Sequence, residues 1–417
     1  MKKYLIFLFI LLLGVLTGCN NAYGKHAFYE VEKLQKTDYK KVLGSQYSNI
    51  EIDPTFKDAL LDFSYKTASD LLEGRNGMYS PLSFYIALSE LAELTANETR
   101  EEVLNALFVD DIETLREGNQ NLYKKLTYKN SISTFSIANS IWLSKNRVYN
   151  DQSLEVLRDK YYASSYGVDF SSTDDKKAIG KWVSDNTGGK LGENDFNDLD
   201  ATVVFVLLNA VYFYDEWKEK FDKKLNKFDT FFGLDKQVEY MNQQLDGSYF
   251  KSDEYEMSSL RFKNGFEIKF VAPYTSVNFE EFVKDGTKVR ESLSRKIISN
   301  YLVNYRIPKY TYKSSFNFVE YAQSMGINRV FGVADFSPLT NDGVFVDKMY
   351  QKTFIEIDEE GGKAAAYTGI VGNESLEVTE IVDFNLNRPF IYAIYSADIP
   401  LFIGVVCDPS SNAEEKY

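Results

Sequence analysis

Histidine is almost absent from this sequence of 417 residues, which contains a single one, His26. Catalytic Ser–His and Cys–His pairs and histidine-ligated metal sites are therefore excluded from the rest of the chain. Carboxylate-only catalysis would need an isolated acidic pair in an apolar setting, and we find no such pair in the sequence. We therefore predict that the protein is not an enzyme and that it holds no metal and no cofactor.

The N-terminal apolar run, Tyr4–Leu16, has thirteen residues, fewer than the about 20 that a membrane-spanning helix needs. It follows two lysines and has the length of a signal h-region, so residues 1–18 are predicted to be a signal peptide. The run ends in LTGC, which resembles the lipobox of bacterial lipoproteins and implies lipidation of Cys19. An ordinary secretory signal followed by a chance cysteine is the alternative. Residues 19–50 are polar and are interpreted as a tether, so we expect an extracytoplasmic protein on a bacterial membrane, at the cell surface or the periplasmic face.

Cysteine is also scarce, with Cys407 as the only residue besides Cys19. Cys407 lies in the apolar run LFIGVVCDP, which predicts a buried strand. With Cys19 lipidated we predict no disulfide, so the protein depends on its hydrophobic core. The sequence is 44% hydrophobic and 15% aromatic, and it has no internal repeat and no low-complexity linker beyond residue 50.

Basic residues are outnumbered, with 47 Lys and Arg against 61 Asp and Glu and a net charge of −14. Loss of residues 1–18 would remove two lysines and no acidic residue, which leaves 45 − 61 = −16. Such a surface repels nucleic acid and anionic lipid, so we predict no nucleic-acid partner. The basic cluster Glu216–Phe228 is interleaved with acidic residues and is interpreted as a solvated face, with an anion site as the alternative.

Apolar spacing predicts helices early in the chain and strands late. One helix is predicted from Pro54 to Gly74, and a second begins at Ser80, the predicted N-cap, with Pro81 in its first turn. The segment KKAIGKWVSDNTGGKL predicts a helix that ends at glycines. The β-branched runs FSIANSIWL and TVVFVLLNAVYF predict central strands, and strand-like runs fill the last ninety residues. This order indicates an α+β fold.

These segments resemble, in type, order and spacing, the motifs of the serpin family over residues 54–409. The stretches that carry the resemblance are SPLSFYIALSELAELTANETREEVLNAL, IGKWVSDNTGGKL, LLNAVYFYDEWKEKF, YMNQ, IPKY, MGINRVF and PLFIGVVCDP. Ser80 and Ser83 occupy the paired serine positions of the family in the first stretch. Asn209 and Trp217 match the family's Asn and downstream Trp in the third.

The resemblance implies the serpin fold, in which helices pack on three β-sheets and an exposed reactive loop can insert into the central sheet. It implies a serpin domain at residues 51–410, a tail at 411–417 and a reactive loop at 359–383. It also implies a monomer that inhibits a serine protease as a suicide substrate. The protease cleaves the loop, forms an acyl-enzyme and is trapped when the loop inserts as a new strand. The implied shutter and breach residues are Ser80, Ser83, Asn209, Trp217 and Gln351.

The segment EIDEEGGKAAAYTGIVG falls where the family has the proximal hinge of this loop, at residues 359–368. A strand that slides between two others must have small or apolar side chains on its buried face, and side chains alternate with a period of two. The bulky Lys363 and Tyr367 share one phase. The other phase has no charged or large polar residue, and its members are Gly362, Ala364, Ala366, Thr368, Ile370 and Gly372. The full set of hinge residues is Glu359, Glu360, Gly361, Gly362, Ala364, Ala366 and Thr368.

Two of the departures from the family pattern bear on loop insertion. Gly362 replaces the usual Thr or Ser, which lowers the β-propensity where insertion starts. Gln351 replaces a common His, and it can donate and accept hydrogen bonds but cannot titrate. The alternative function is a non-inhibitory surface protein with the same fold, acting as a ligand carrier or binding module. Non-inhibitory members tend to have charged or bulky hinge residues, which this hinge lacks on its buried phase.

The attacked bond is predicted by two counts. Sixteen residues on from Glu359 gives Ser375-Leu376, and counting back from the strand NRPF gives Val378-Thr379. We favour the first count because the length of the inserting strand decides whether the protease is trapped. No Lys or Arg lies between Ala364 and Asn387, so a trypsin-like pocket has no cation to bind. We therefore expect an elastase-, subtilisin- or chymotrypsin-like target, with a Glu-specific protease as the alternative.

Overall fold

The computed structural model describes residues 50–126, 128–129, 134–192, 196–197, 199–297, 301–346, 348–361, 380–411 and 414–416. The predicted signal peptide and the tether lie outside these ranges, except for residue 50, and so does the reactive loop between residues 362 and 379. The described part combines helices with three β-sheets, which confirms the predicted α+β class.

Nine α-helices lie in the described ranges. They are α1 (Pro54–Leu71), α2 (Pro81–Leu94), α3 (Asn97–Ala106), α4 (Ile112–Leu126), α5 (Asp151–Tyr161), α6 (Thr173–Asn186), α7 (Phe279–Lys284), α8 (Gly286–Ser294) and α9 (Val319–Ser324). None of these described helices has both the length and the apolar character needed to cross a membrane.

Sixteen strands lie in the same ranges. They are β1 (Gly77–Tyr79), β2 (Tyr128–Lys129), β3 (Thr134–Ser144), β4 (Ala163–Val168), β5 (Phe205–Tyr214), β6 (Lys227–Thr230), β7 (Gln237–Lys251), β8 (Tyr255–Arg261), β9 (Phe266–Pro273), β10 (Tyr301–Pro308), β11 (Tyr310–Asn317), β12 (Tyr350–Ile357), β13 (Glu380–Asn385), β14 (Phe390–Ser396), β15 (Ile399–Val406) and β16 (Glu414–Lys416).

The largest sheet has nine strands in the order β1-β15-β14-β9-β8-β7-β10-β13, with β6 added alongside β7. A four-stranded sheet has the order β2-β3-β4 with β5 on the other edge of β3, and a three-stranded sheet has the order β12-β11-β16. Strands β3 and β5 are antiparallel, as are β11 and β12. One apolar core connects the large sheet with α1, α2 and the inner faces of both smaller sheets.

Helix starts follow the predicted capping chemistry. The Asp53 carboxylate accepts hydrogen bonds from the first turn of α1, and the Ser80 hydroxyl accepts one from the backbone N–H of Ser83 at 3.1 Å in α2. Proline occupies the first turn in both helices. The buried faces meet through Phe63 and Phe84, whose ring centroids lie 5.4 Å apart.

The C-terminal part of the chain differs from the prediction in two places. Strand β15 ends at Val406, because the Asn76 side chain accepts hydrogen bonds from the backbone N–H groups of Cys407 and Asp408 at 2.7 and 2.9 Å. Cys407 is therefore half-buried just beyond the strand that was predicted to contain it. The tail predicted at 411–417 is not separate from the domain, since β16 pairs in parallel with β11.

Candidate functional site

A cleft separates the four-stranded sheet from the three-stranded sheet. The edge strands β5 and β12 face each other across it, and no hydrogen-bond ladder joins them among the described residues. Residues of both strands line a cavity of about 420 Å³, with the first turns of α2 below it, and a smaller cavity of about 70 Å³ lies nearer the ends of the two strands. Within the described part of the chain, the site is therefore a cleft between two strand edges with no strand between them.

Each edge strand has one face toward the core and one toward α6. On β5, Phe213 packs against two core phenylalanines with centroids 5.1 Å away, whereas the ring of Tyr212 packs against Gly188 in the turn after α6. On β12, Ile355 is buried in the core, whereas Glu356 faces the same turn. Any strand that enters the cleft must match these two faces.

The described part of the predicted hinge makes a tight reversal at the mouth of the cleft. Asp358 and Gly361 exchange two backbone hydrogen bonds of 3.2 Å, and Gly361 also forms an antiparallel bridge with Glu216, just beyond β5. The φ angle of Gly361 is +119°, and a Cβ there would lie 2.6 Å from the Asp215 carbonyl oxygen. Only glycine fits this position, which lies between the ends of the two edge strands.

Trp217 holds the reversal in place. Its backbone N–H donates to the Glu360 carbonyl at 3.0 Å, and its indole N–H donates to the Asp358 carbonyl at 2.8 Å. The indole stacks on Phe262 with centroids 4.5 Å apart, which fixes the ring. The Phe221 N–H donates to the Glu359 carbonyl at 3.1 Å. The backbone carbonyls of the hinge are thus bound to one rigid segment.

The Glu359 side chain is buried beside this segment. Its carboxylate lies 3.0 Å from Lys309 Nζ and accepts a hydrogen bond of 2.5 Å from Asn226. Burial alone would raise the pKa of Glu359, but the hydrogen bonds from its backbone, Asn226 and Lys309 together hold that pKa below its usual value. Burial does raise the pKa of the neighbouring Asp358. Glu360 is more exposed and pairs with Lys220 at 2.5 Å.

The predicted shutter residues meet below the cleft. Gln351 accepts a hydrogen bond from the backbone N–H of Ser80 at 2.7 Å and donates one to the Ser80 carbonyl at 3.1 Å. The Ser80 hydroxyl donates to the Leu401 carbonyl at 2.7 Å and, as the N-cap of α2, accepts from the backbone N–H of Ser83. Gln351 thus has the donor and acceptor roles expected of it.

Asn209 lines the same cavity from β5. Its amide N–H₂ donates to the Asn139 side chain, and its side-chain oxygen is buried with no hydrogen-bond partner among the described residues. A buried acceptor without a donor costs free energy. Asn209 therefore presents an unsatisfied acceptor to the cleft.

The structure separates the predicted site residues into two groups. Ser80, Ser83, Asn209 and Gln351 surround the cavity, whereas Trp217 lies at the hinge with Glu359, Glu360 and Gly361. Sequence reasoning missed the hinge partners Lys309, Asn226 and Phe221. Lys309 lies in the motif IPKY and Phe221 ends the motif LLNAVYFYDEWKEKF, and neither motif indicates a contact with the hinge. The remaining predicted site residues lie outside the described ranges: Cys19, Gly362, Ala364, Ala366, Thr368, Ser375, Leu376, Val378 and Thr379.

Within the described ranges, no group of three or more His, Cys, Asp or Glu side chains could hold a metal ion. The site instead consists of a cleft between two strand edges and a hinge at its mouth.

The sequence matches the model of the family described as Serpin (serine protease inhibitor) over residues 58–409. Similar proteins include Serpin A3-6 of Bos taurus, 28% identical over 84% of this chain and 87% of its own length, and Serpin-Z10 of Arabidopsis thaliana, 26% identical over 85% and 97%. Among solved structures, the thermophilic serpin tengpin in its native state has a TM-score of 0.76 at 29% identity, covering 86% of this chain and 95% of its own. Tengpin in its latent state gives 0.73 at 28% identity, covering 86% and 99%.

Proposed function

This chain belongs to the serpin family of serine protease inhibitors, and on that premise we propose that it inhibits its target as a suicide substrate. The observation that carries the proposal is Gly361, which pairs antiparallel with the ends of both edge strands at the mouth of a cleft that no other described strand fills. A chain that continues from this residue along the cleft becomes the missing central strand, hydrogen-bonded on both sides.

The register of that strand follows from the two bridges at Gly361. For each residue that the strand advances beyond Gly361, the residue opposite it in β12 moves one position back from Asp358. The residue opposite it in β5 moves one position back from Glu216. Ala364 then falls opposite Ile355 and Phe213, both of which face the core. The alternate residues that the sequence predicts to be buried would thus face the core. The side chains opposite them there are large and leave room for methyl groups.

The same register brings a hydrogen-bond donor next to the shutter residues Gln351 and Asn209. Thr368 falls opposite Gln351 on one side and Asn209 on the other, on the core-facing phase. The Asn209 side-chain oxygen has no partner in the described structure, and a threonine hydroxyl can donate to it. Insertion as far as this residue would satisfy a buried acceptor.

The chemistry belongs to the protease. Its serine attacks the carbonyl carbon of Ser375, an ester forms and the amine of Leu376 leaves, which frees the loop to insert. About a dozen inserted residues would gain ladder hydrogen bonds worth about 0.5–1.5 kcal/mol each, on the order of 10 kcal/mol in total. That sum is comparable with the stability of a whole domain, so the uninserted form is held kinetically.

A protease panel tests this proposal. Chymotrypsin, elastase, subtilisin, a Glu-specific protease and trypsin would each be incubated with the protein, and complexes that survive heat and detergent would be scored on gels. We expect stable complexes with one or more of the first three. Simple cleavage of the loop by every protease, without a complex, would favour a non-inhibitory binding protein.

We also propose that the mature protein is attached to a bacterial membrane through lipidated Cys19. The support is the sequence alone: two lysines, the apolar run Tyr4–Leu16 and the lipobox-like LTGC. The polar residues 19–50 would then act as a leash that holds the inhibitor away from the lipid surface.

A further inference from the structure

Helix α2 has two glutamates that are almost fully buried, Glu90 and Glu93, which are 0% and 4% exposed. Glutamate is rarely buried to this extent unless it is paired. Glu93 is paired, since its carboxylate accepts hydrogen bonds of 2.6 and 2.8 Å from the Arg116 guanidinium of α4 and one of 3.3 Å from the Tyr161 hydroxyl of α5. Both side-chain oxygens of Glu90 are buried with no hydrogen-bond partner among the described residues.

The other groups around α2 give Glu90 no donor and no counter-charge. Tyr161 is close enough to interact electrostatically with Glu90, but its hydroxyl donates to Glu93. From α3, Arg100 donates to two backbone carbonyls at the C-terminal end of α2. On α2 itself, the Tyr85 hydroxyl donates to a backbone carbonyl just beyond α3. The strands β5 and β15 and the helix α1 also pack on α2, and none of their buried residues is Asp, Glu, Lys or Arg.

A carboxyl group in these surroundings is favoured as the neutral acid. Burial raises the pKa of Glu90 well above its usual value of about 4.3. The folded protein therefore keeps this proton to a higher pH than the unfolded chain does. The stability that this provides is complete below about pH 4.3 and falls as the pH rises towards the folded pKa. One such proton changes the unfolding equilibrium constant by at most about tenfold for each pH unit.

Glu90 lies in the helix that forms the floor of the cleft. The cavity is lined by three apolar residues of this helix, Phe84, Ala87 and Leu91. An ionised Glu90 would add a second negative charge one helical turn from Glu93, with one guanidinium already bound by that residue. Water can reach the new charge only if α2 separates from its neighbours, because the side chain has no exposed surface.

We propose that Glu90 is a pH sensor that sets the lifetime of the native fold. As the neutral acid it allows α2 to stay packed beneath the cleft. When its proton passes to water, the carboxylate favours the state in which α2 has left the core, so the native form is lost faster as the pH rises. The sensor acts on the fold itself and does not require the proposed function.

The pH dependence of the unfolding rate tests the sensor. Rates in guanidinium chloride would be followed by intrinsic fluorescence from about pH 5 to about pH 9. We expect the parent to unfold severalfold faster for each pH unit, within the limit of about tenfold that one proton sets. Glu90→Gln should lose this dependence because an amide does not titrate, and Glu90→Met should lose it as well. Glu101→Gln, at an exposed position of α3, is the matched control and should keep the parent's slope.

The infrared spectrum gives a second measurement, which does not involve unfolding. A protonated carboxyl group has a C=O stretching band distinct from the bands of carboxylates. We expect the parent at neutral pH to have such a band that Glu90→Gln and Glu90→Met lack. The sensor would be overturned by equal unfolding slopes in the parent and Glu90→Gln, or by a parent spectrum without this band. Failure to form protease complexes would overturn the proposed function and leave both of these results unchanged.

Discussion

Replacement of Ala364 by arginine is expected to convert the protein from an inhibitor into a substrate. In an inserted strand with the register set by Gly361, residue 364 would face the core between the half-buried Phe213 and the buried Ile355. A guanidinium there would lie among apolar groups with no counter-charge. The effective cost of burying an unpaired ion is several kcal/mol. That cost is about half of the free energy that insertion would supply, which is on the order of 10 kcal/mol.

The position of residue 364 near the start of the inserting strand sets the size of the effect. If half of a cost of about 5 kcal/mol is already present in the transition state, insertion slows by about two orders of magnitude. The acyl-enzyme then hydrolyses before the loop is in place, and more inhibitor is consumed for each protease molecule that is trapped. Ala366→Arg should behave in the same way, because it shares the phase.

The assay is the number of inhibitor molecules consumed per protease molecule inactivated, together with the yield of detergent-stable complex. Ala365→Arg is the matched control, with the same new charge one residue away. Its side chain would face the half-buried Tyr212 and Phe354 on the α6 side of the sheet and not the apolar core, so we expect this variant to remain inhibitory. If the three variants behave alike, the two-residue alternation of core-facing and outward-facing side chains in the hinge is refuted.

Three other predictions concern the hinge charge, the anchor and the attacked bond. The pKa of Glu359 is lowered in the folded protein, so its ionisation stabilises the fold at pH above its usual pKa of about 4.3, and this contribution is lost as the pH falls through the folded value. The Glu359→Gln variant should therefore lose stability less steeply than the parent below about pH 4.3 in acid unfolding. Identical profiles would contradict the hinge network. Cys19→Ser should move the protein out of the membrane fraction without changing inhibition, and membrane retention would contradict lipidation. The new N-terminus released on complex formation should be Leu376, whereas strong trypsin inhibition with cleavage after Lys363 or Arg388 would contradict the predicted specificity.

Local sequence patterns predict most of the elements around the site. The predicted helix from Pro54 and the N-cap at Ser80 are confirmed, because both depend on contacts within one turn. Strand β5 begins at Phe205, three residues after the predicted run at Thr202, because the Asp200 carboxylate binds the Thr202 backbone in a turn that ends before the strand. Boundary errors of this kind arise where a side chain competes with the ladder for backbone groups.

The arrangement of the hinge could not be predicted in the same way. Glu359 is buried against Asn226 and Lys309, which lie far away along the chain and show no periodic pattern that points to the hinge. The cleft likewise depends on how β5 and β12 are placed relative to each other. Each of these strands has an ordinary strand pattern on its own. The period-two alternation of the hinge indicates which residues can be buried, but only the bridges at Gly361 indicate which residues of β5 and β12 would bury them after insertion.

Thermal melting of the protein before and after a single cut in residues 373–379 tests the central claim most directly. A Glu-specific protease can make this cut at Glu374 or Glu377 without needing a stable complex. Insertion worth on the order of 10 kcal/mol should raise the melting temperature by more than about 10 °C, since unfolding entropy scales with chain length. A two-chain product that melts at or below the temperature of the intact protein would contradict the account.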